Sequence, residues 1–375
     1  MTNEFSKLKI NDKLLKALEV EKISIPTTIQ QRTIPFIFNK KDIIASSETG
    51  TGKTLAYLLP MIQNMDIDNK SLQVVILAPT YELVIQIQSQ IESLISNSGI
   101  KISVQPVLGS VHIKRQIENL KKKSPQIIVA SAGRLLELIT RKRIIMHTVK
   151  TIILDEADKL IDDNNIVQTK AIIKATMKDR QLMAFSATIP DNSKEKLIEL
   201  MKEPEVIIIK DTQVTTLNIS HEYIVCEQRD KIKILRNLAA NIKNLKAIVF
   251  LNKSDDLEIL NDKLKFHNLK VDCIHGSWQK SEREKAIRDF RSNRINLLVA
   301  SDIAARGLDF KNVSHIINFD IPEDPKNYTH RAGRTGRAGE KGVTISLTTE
   351  YETKFLKKIE RKLQITINRS DLNIP

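Results

Sequence analysis

Short apolar runs alternate with amphipathic stretches along almost the whole chain. VVIL at Val74–Leu77, SVQPV at Ser103–Val107, IIVA at Ile127–Ala130, TIIL at Thr151–Leu154 and LMAF at Leu182–Phe185 have the length and apolar content of strands buried on both faces. Between them, ELVIQIQSQIESLI at Glu82–Ile95 has helical spacing. The rhythm breaks at KDTQVTTLNIS, Lys210–Ser220, which is polar and without period. It resumes with HEYIVC at His221–Cys226, AIVFL at Ala247–Leu251, VDCI at Val271–Ile274, NLLVA at Asn296–Ala300, HIINF at His315–Phe319 and VTISL at Val343–Leu347. Strands alternating with helices predict an α/β protein whose mainly parallel sheets are flanked by helices. The break predicts two tandem domains, 1–210 and 221–375, with a linker at 211–220. No internal repeat stands out.

A length of 375 residues suits two such domains. No run of about 18 apolar residues is present, and MTNEFSKLKINDKLLK at the start lacks an apolar signal core, so no membrane segment is expected. Cys226 and Cys273 are the only cysteines and lie far apart, which argues against a disulfide framework or a zinc site and predicts a cytoplasmic protein. The net charge of +14 suits a partner with a phosphate backbone, and equally a well-solvated surface.

The candidate chemistry begins at SSETGTGKTLAYLLP, Ser46–Pro60. It matches a phosphate-binding loop, except that Ser47 stands where the pattern has its first glycine. Gly50 and Gly52 let backbone N–H groups face phosphates, Lys53 reaches the outer phosphates and Thr54 ligates Mg²⁺. Asp42–Ala45 predicts the strand before the loop, and Leu55–Leu59 the helix whose positive end faces the anion. TIILDEAD, Thr151–Asp158, brings Asp155 to the end of a strand, where it can hold Mg²⁺; Glu156 beside it can orient or deprotonate a water. Taken singly, the first motif also fits a flexible turn and the second an acidic surface turn. Together they imply binding and hydrolysis of a nucleoside triphosphate, without naming the base or the use of the energy.

DEAD at Asp155–Asp158, with motifs in order from Phe5 to about Leu347, resembles the DEAD-box ATP-dependent RNA helicases, in the form of minimal bacterial-type members with two RecA-like domains. The resemblance implies ATP and Mg²⁺ as cofactors. It places Ser47, Glu48, Thr49, Gly50, Thr51, Gly52, Lys53 and Thr54 around the phosphates. Gln30 of IPTTIQ would read the adenine edge, with Phe5 packed on the base, and Asp309 would meet the ribose. Ser186-Ala187-Thr188, with Asp158 and His330, would couple hydrolysis to strand separation. In HRAGRTGRAG, His330–Gly339, Arg334 and Arg337 resemble arginine fingers that reach the γ-phosphate, whereas His330 and Arg331 would contact the first domain. Pro79, Thr80, Gly109, Ser131, Gly133, Arg134, Asn252, Gly276, Arg283, Ser301 and Gly307 would line an RNA groove that touches backbone rather than bases. Trp278 is expected to pack rather than stack. The resemblance implies a monomer with RNA as partner and ribonucleoprotein targets.

Several positions depart from the family pattern: Lys22 for glycine, Tyr81 for arginine, Ser110 for glycine, Ala132 for proline and Lys280 for glutamine. They concern RNA grip and motif positioning, while Lys53, Thr54, Asp155, Glu156, Arg334 and Arg337 are intact. An ATP-gated RNA clamp therefore stays open beside an RNA helicase; a DNA helicase of the wider superfamily is a third reading, against which the DEAD and adenine motifs favour RNA. FLKKIERKL, Phe355–Leu363, predicts a basic amphipathic helix.

Overall fold

The structure, a computed structural model, describes residues 3–48, 50–209, 219–253, 255–274, 280–305, 310, 312–336 and 340–370. The chain divides into two compact units, Met1–Lys210 and Asp211–Pro375. In the first, strands β1 (Ile43–Ser46), β2 (Val74–Leu77), β3 (Val104–Val107), β4 (Ile127–Ala130), β5 (Thr151–Asp155), β6 (Gln181–Ser186) and β7 (Glu205–Ile208) form a parallel sheet in the order β3-β4-β2-β5-β6-β1-β7. In the second, β8 (Ile219–Val225), β9 (Ala247–Leu251), β10 (Val271–Ile274), β11 (Leu297–Ser301), β12 (His315–Asn318), β13 (Gly342–Thr348) and β14 (Asn368–Arg369) form another, in the order β10-β11-β9-β12-β13-β8-β14. Counted from each unit's first strand, the two orders are identical. The winding is repeated although the sequence shows no repeat.

The continuous apolar runs have a simple cause. Val74 and Ile76 of β2 face one hydrophobic core and Val75 and Leu77 the other. In the second sheet, Ala247, Val249 and Leu251 of β9 alternate in the same way with Ile248 and Phe250. Helices cover both faces, so neither face of a central strand can be polar. Edge strands escape this rule. β7 is half-exposed although it falls on the apolar run Val206–Ile209, and β14 is exposed and has no run that marks it in the sequence. β8 begins at Ile219, so Ile219 and Ser220 of the expected linker are strand residues.

Because every strand pair is parallel, the C-terminal ends of all strands in a unit lie along one edge of its sheet, the usual place for ligand-binding loops. Among the described residues, no helix is long and apolar enough to cross a membrane.

Among the buried titratable groups of the second unit, a histidine has the clearest consequence for stability. His221 on β8 is buried; its Nδ1 lies 3.1 Å from Tyr328 Oη, and burial lowers its pKa to about 4. The folded pKa is below the unfolded value of about 6.5, so the native state binds the proton less readily. The stability that neutral His221 contributes is present above about pH 6.5 and is lost as pH falls through about 4, by roughly 3 kcal/mol. Denaturant titrations of the full chain between these values should show this loss. His221→Gln should remove most of it.

Candidate functional site

The phosphate-loop motif leaves β1 and enters the helix Lys53–Asn64. Gly50 and Gly52 have φ of 83° and 90°, a region open to glycine at no steric cost. At Gly52 a Cβ would also strike Gln30 Nε2. The amide of Gln30 is engaged at both ends: Oε1 accepts from Thr27 N at 2.8 Å, and Nε2 donates to Gly52 O at 3.0 Å. The expected adenine reader is thus tied to the loop that holds phosphates. Lys53 Nζ donates to Ser47 O at 2.5 Å and Glu48 O at 2.6 Å, so the ammonium lies over the loop's own carbonyls. Thr51 Oγ1 donates to Glu48 O at 2.8 Å and lies 2.6 Å from Ser47 Oγ. Thr49 lies outside the described residues. The short helix of Phe5, capped by Asn3 Oδ1 on Phe5 N at 3.2 Å, turns the ring into the hydrophobic core, where it is 0% exposed.

Sheet order sets β5, β6 and β1 side by side, with Ser46 level with Ser186 and Asp155 level with Phe185. The three motifs at their ends are joined by hydrogen bonds. Ser186 Oγ donates to Asp158 Oδ1 at 2.6 Å; Ser47 N donates to Ser186 O at 3.2 Å; Ser46 Oγ donates to Ala187 O at 3.1 Å. Thr188 follows, half-buried. Asp155 is buried, with Tyr57 Oη donating to Oδ2 and Glu156 N to Oδ1, both at 2.9 Å. Burial pushes its carboxyl above the usual range, although the Tyr57 hydroxyl, the Lys53 charge and the Glu156 N–H pull it down. Burial and the Asp155 charge hold the Tyr57 phenol well above its usual pKa, so it stays a donor. Glu156 adopts φ 51°, ψ 51°, a strained conformation for a non-glycine residue and a common companion of function. Tyr57 is a site residue that sequence reasoning missed, because Asp155 lies 98 positions away.

An oxygen-rich pair, the Asp155 carboxylate and the Thr54 hydroxyl, has the donor chemistry for Mg²⁺, which keeps waters and substrate oxygens and needs few protein ligands. A divalent cation would also relieve the buried Asp155 charge. No cluster of three or more His, Cys, Asp or Glu fit for a metal occurs among the described residues.

The expected RNA residues of the first unit also follow strand ends. Pro79 and Thr80 follow β2, and Thr80 Oγ1 caps the helix Tyr81–Ser98. Ser131 and Gly133 follow β4, at the start of the helix Ala132–Thr140. Gly109 has open space where a Cβ would be. Arg134 is turned inward: it donates to Val111 O at 2.6 Å, Gln116 Oε1 at 3.1 Å and Gly109 O at 2.8 Å, and pairs with Glu137 at 3.0 Å. It braces the Gly109 loop.

In the second unit Arg331 is the hub. It is 1% exposed and donates to both Asp302 carboxylate oxygens at 2.6 and 2.8 Å, to Asn318 Oδ1 at 3.2 Å, to Asp320 O at 2.7 Å and to Asn252 Oδ1 at 2.8 Å. All of these bonds lie within the second unit. Asn252 is held by the same hub and donates to Ile321 O at 2.9 Å. Arg283 donates to Ala304 O at 2.8 Å, and Ser301 Oγ accepts from Ala304 N at 3.3 Å. His330 lies near the end of the helix Pro325–Ala332, and Arg334 sits half-buried on the turn after it, Arg334 N donating to Arg331 O at 3.0 Å. Gly276, Trp278, Gly307, Asp309 and Arg337 lie outside the described residues.

Residues 27–197 match the DEAD/DEAH box helicase family, and residues 230–339 the helicase conserved C-terminal domain. The chain is 41% identical to the probable ATP-dependent RNA helicase YfmL of Bacillus subtilis, over 92% of this chain and 90% of that protein. It is 40% identical to the DEAD-box ATP-dependent RNA helicase CshC of Bacillus cereus, over 92% of this chain and 88% of that one. The chain belongs to the DEAD-box helicase family. Its fold is similar to that of S. cerevisiae Dbp5 bound to RNA and ADP BeF3, with a TM-score of 0.88 and 30% identity, over 98% of this chain and 95% of that one. Each unit is therefore a RecA-like domain, and the protein is an enzyme of the helicase class.

The departures of this DEAD-box helicase can now be read structurally. Lys22 has φ of 59°, so the position asks for the left-handed conformation that glycine adopts freely. Lys22→Gly should raise the stability of the first unit by about 1 kcal/mol, or a few degrees in Tm, in thermal unfolding. Tyr81 is half-buried and packs against the first unit's core, where the family's arginine would carry a charge. Ala132 is buried at the start of its helix, and Ser110 is exposed.

Proposed function

We propose that this helicase is an RNA-stimulated ATPase that opens or remodels short RNA duplexes locally. The observation that carries the reading is the joining of the phosphate loop, the DEAD carboxylates and Ser186 by direct hydrogen bonds at the ends of β1, β5 and β6. A change at the phosphates is thereby felt at Asp158 and Ser186.

Lys53 leaves the carbonyls of Ser47 and Glu48 to meet the outer phosphates, while Gln30 senses the loop through Gly52 and reads adenine. Asp155 and Thr54 would hold Mg²⁺, which when bound neutralises phosphate charge. Glu156, on its left-handed turn, orients the attacking water and takes its proton. Arg334 and Arg337 stabilise charge on the transferring phosphoryl group. ATP and RNA together favour the closed arrangement of the two domains, and product release reopens it. RNA is held through its backbone by the loops carrying Pro79, Thr80, Gly109, Ser131, Gly133, Asn252, Arg283 and Ser301. Arg134 and Arg331 position those loops. The protein acts as a monomer on ribonucleoprotein targets. Phosphate release and strand displacement measured side by side test the reading. Hydrolysis that depends on RNA but displaces no strand would make the protein a clamp.

Tyr57 supplies a finer test. Tyr57→Phe keeps the ring against Phe185, 5.2 Å between centroids, and removes the hydroxyl that donates to Asp155 and also bonds the Thr54 side chain. Loss of such a bond to a metal-holding carboxylate costs about tenfold or more. The variant should need more Mg²⁺ for half-maximal ATPase and turn over about tenfold more slowly, with unchanged RNA affinity.

A further inference from the structure

The helix Thr353–Leu363 follows β13 and leads to the edge strand β14, so it lies toward the edge of the second sheet opposite β10, β11 and the Arg283 helix that joins them. Its apolar side is used: Leu356 and Ile359 are buried against Ile219, Tyr328 and Ile367. Its other side carries Lys354, Lys357, Lys358, Arg361 and Lys362, all exposed and lining one shallow depression. The spacing puts them in a row about 12 Å long. Three of the pairs are like charges four residues apart, an arrangement that destabilises a helix. The two acidic side chains at this helix face elsewhere. Glu352 Oε2 accepts from Thr349 N at 2.9 Å and lies 3.5 Å from Lys231 Nζ; Glu360 Oε1 accepts from Ile367 N at 2.7 Å.

Beside the row stand two aromatic rings that the core does not take up. Tyr351 is 72% and Phe355 42% exposed, with ring centroids 6.4 Å apart. Lys354 Nζ lies 3.4 Å from the Tyr351 centroid and 5.3 Å from that of Phe355. Exposed rings interleaved with cations that have no ion-pair partner among the described residues are what a single strand needs, stacking for its bases and charge for its phosphates. A lipid surface fits worse, because the helix's apolar face is already buried in protein and cannot insert.

We infer that Tyr351, Phe355 and the Lys354–Lys362 row form a second RNA-binding surface, which takes single-stranded RNA flanking the stretch held by the motif loops. The inference rests on RNA being this helicase's substrate. The surface lengthens the RNA footprint and anchors the protein beside a duplex without taking part in hydrolysis.

The test uses the full chain, with the triple variant Lys357→Gln, Lys358→Gln, Arg361→Gln and, separately, Tyr351→Ala. All four side chains are exposed, so the fold should stand, and circular dichroism checks it. Binding is measured with single strands of about 10 and about 30 nucleotides, the first only long enough for one groove. The triple variant should bind the long strand about tenfold or more weakly. Its log–log salt slope should fall by about two, at roughly 0.7 for each phosphate that the removed cations no longer neutralise. Tyr351→Ala should weaken long-strand binding without changing that slope. Short-strand affinity, and ATPase at saturating short RNA, should match the unaltered chain. Unchanged long-strand affinity, or equal weakening for both lengths, overturns the inference. The first result would leave the row to an acidic protein partner. If RNA fails to stimulate the unaltered chain's ATPase, the functional reading itself falls; if stimulation stands and the length effect is missing, only this surface falls.

Discussion

A chain ending at Lys210 should fold and bind ATP weakly, yet should release phosphate about 10³- to 10⁵-fold more slowly than the full chain with RNA, the range over which an arginine finger acts. The first unit has its own sheet and its own cores on both faces, and truncation leaves both cores whole. Gln30, Lys53, Thr54, Asp155 and Glu156 all lie within it. On the roles proposed for Arg334 and Arg337, which belong to the second unit, it would lack a cation for the charge that builds on the phosphoryl group. In the full chain, Arg337→Ala should reproduce much of the loss and Arg334→Ala part of it. A phosphate-release assay resolves changes of this size easily. Full RNA-stimulated turnover by the fragment would remove both arginines from the chemistry and leave the second unit as an RNA grip.

Glu156→Gln should lower ATP turnover by about 10²- to 10⁴-fold while RNA and ATP binding persist. The amide keeps the shape of the side chain and loses the base. The backbone N–H of residue 156, which donates to Asp155 Oδ1, is untouched, so the Asp155 carboxylate keeps its orientation. With hydrolysis stalled, the variant should stay on RNA when ATP is present, as a slow off-rate in a competition assay. Turnover near that of the unaltered chain would take the role of base away from Glu156.

The parts of this site legible in the sequence are those that local pattern dictates. VVIL and TIIL are apolar throughout because helices cover both faces, and a buried strand that ends in Asp-Glu can only present those carboxylates at the sheet edge. Gly-Thr-Gly-Lys-Thr carries its conformation in its own glycines. What stays hidden in the sequence depends on residues far apart along the chain. The Tyr57 hydroxyl meets Asp155 only once β1 and β5 share a sheet. Arg331 reads as one more basic residue in a basic motif until Asp302, Asn318 and Asn252 converge on it. Phe5 reads as a free aromatic near the adenine motif, and its burial depends on helices that pack over it later in the chain. β14 leaves no mark because an edge strand need not be apolar on both faces. Lys22 is the opposite case: its departure from the family's glycine is visible in the sequence, and only the φ of 59° explains what the glycine is for.

The central claim is that RNA gates ATP hydrolysis by this chain. Steady-state phosphate release by the full-length protein with ATP and Mg²⁺ tests it most directly, measured without nucleic acid, with a single-stranded RNA, and with DNA of the same sequence. The account predicts slow release alone and with DNA, and a rise of at least about tenfold with RNA, because a groove that follows the backbone can sense the 2′-hydroxyl. Equal release in all three, or equal stimulation by DNA, would contradict it.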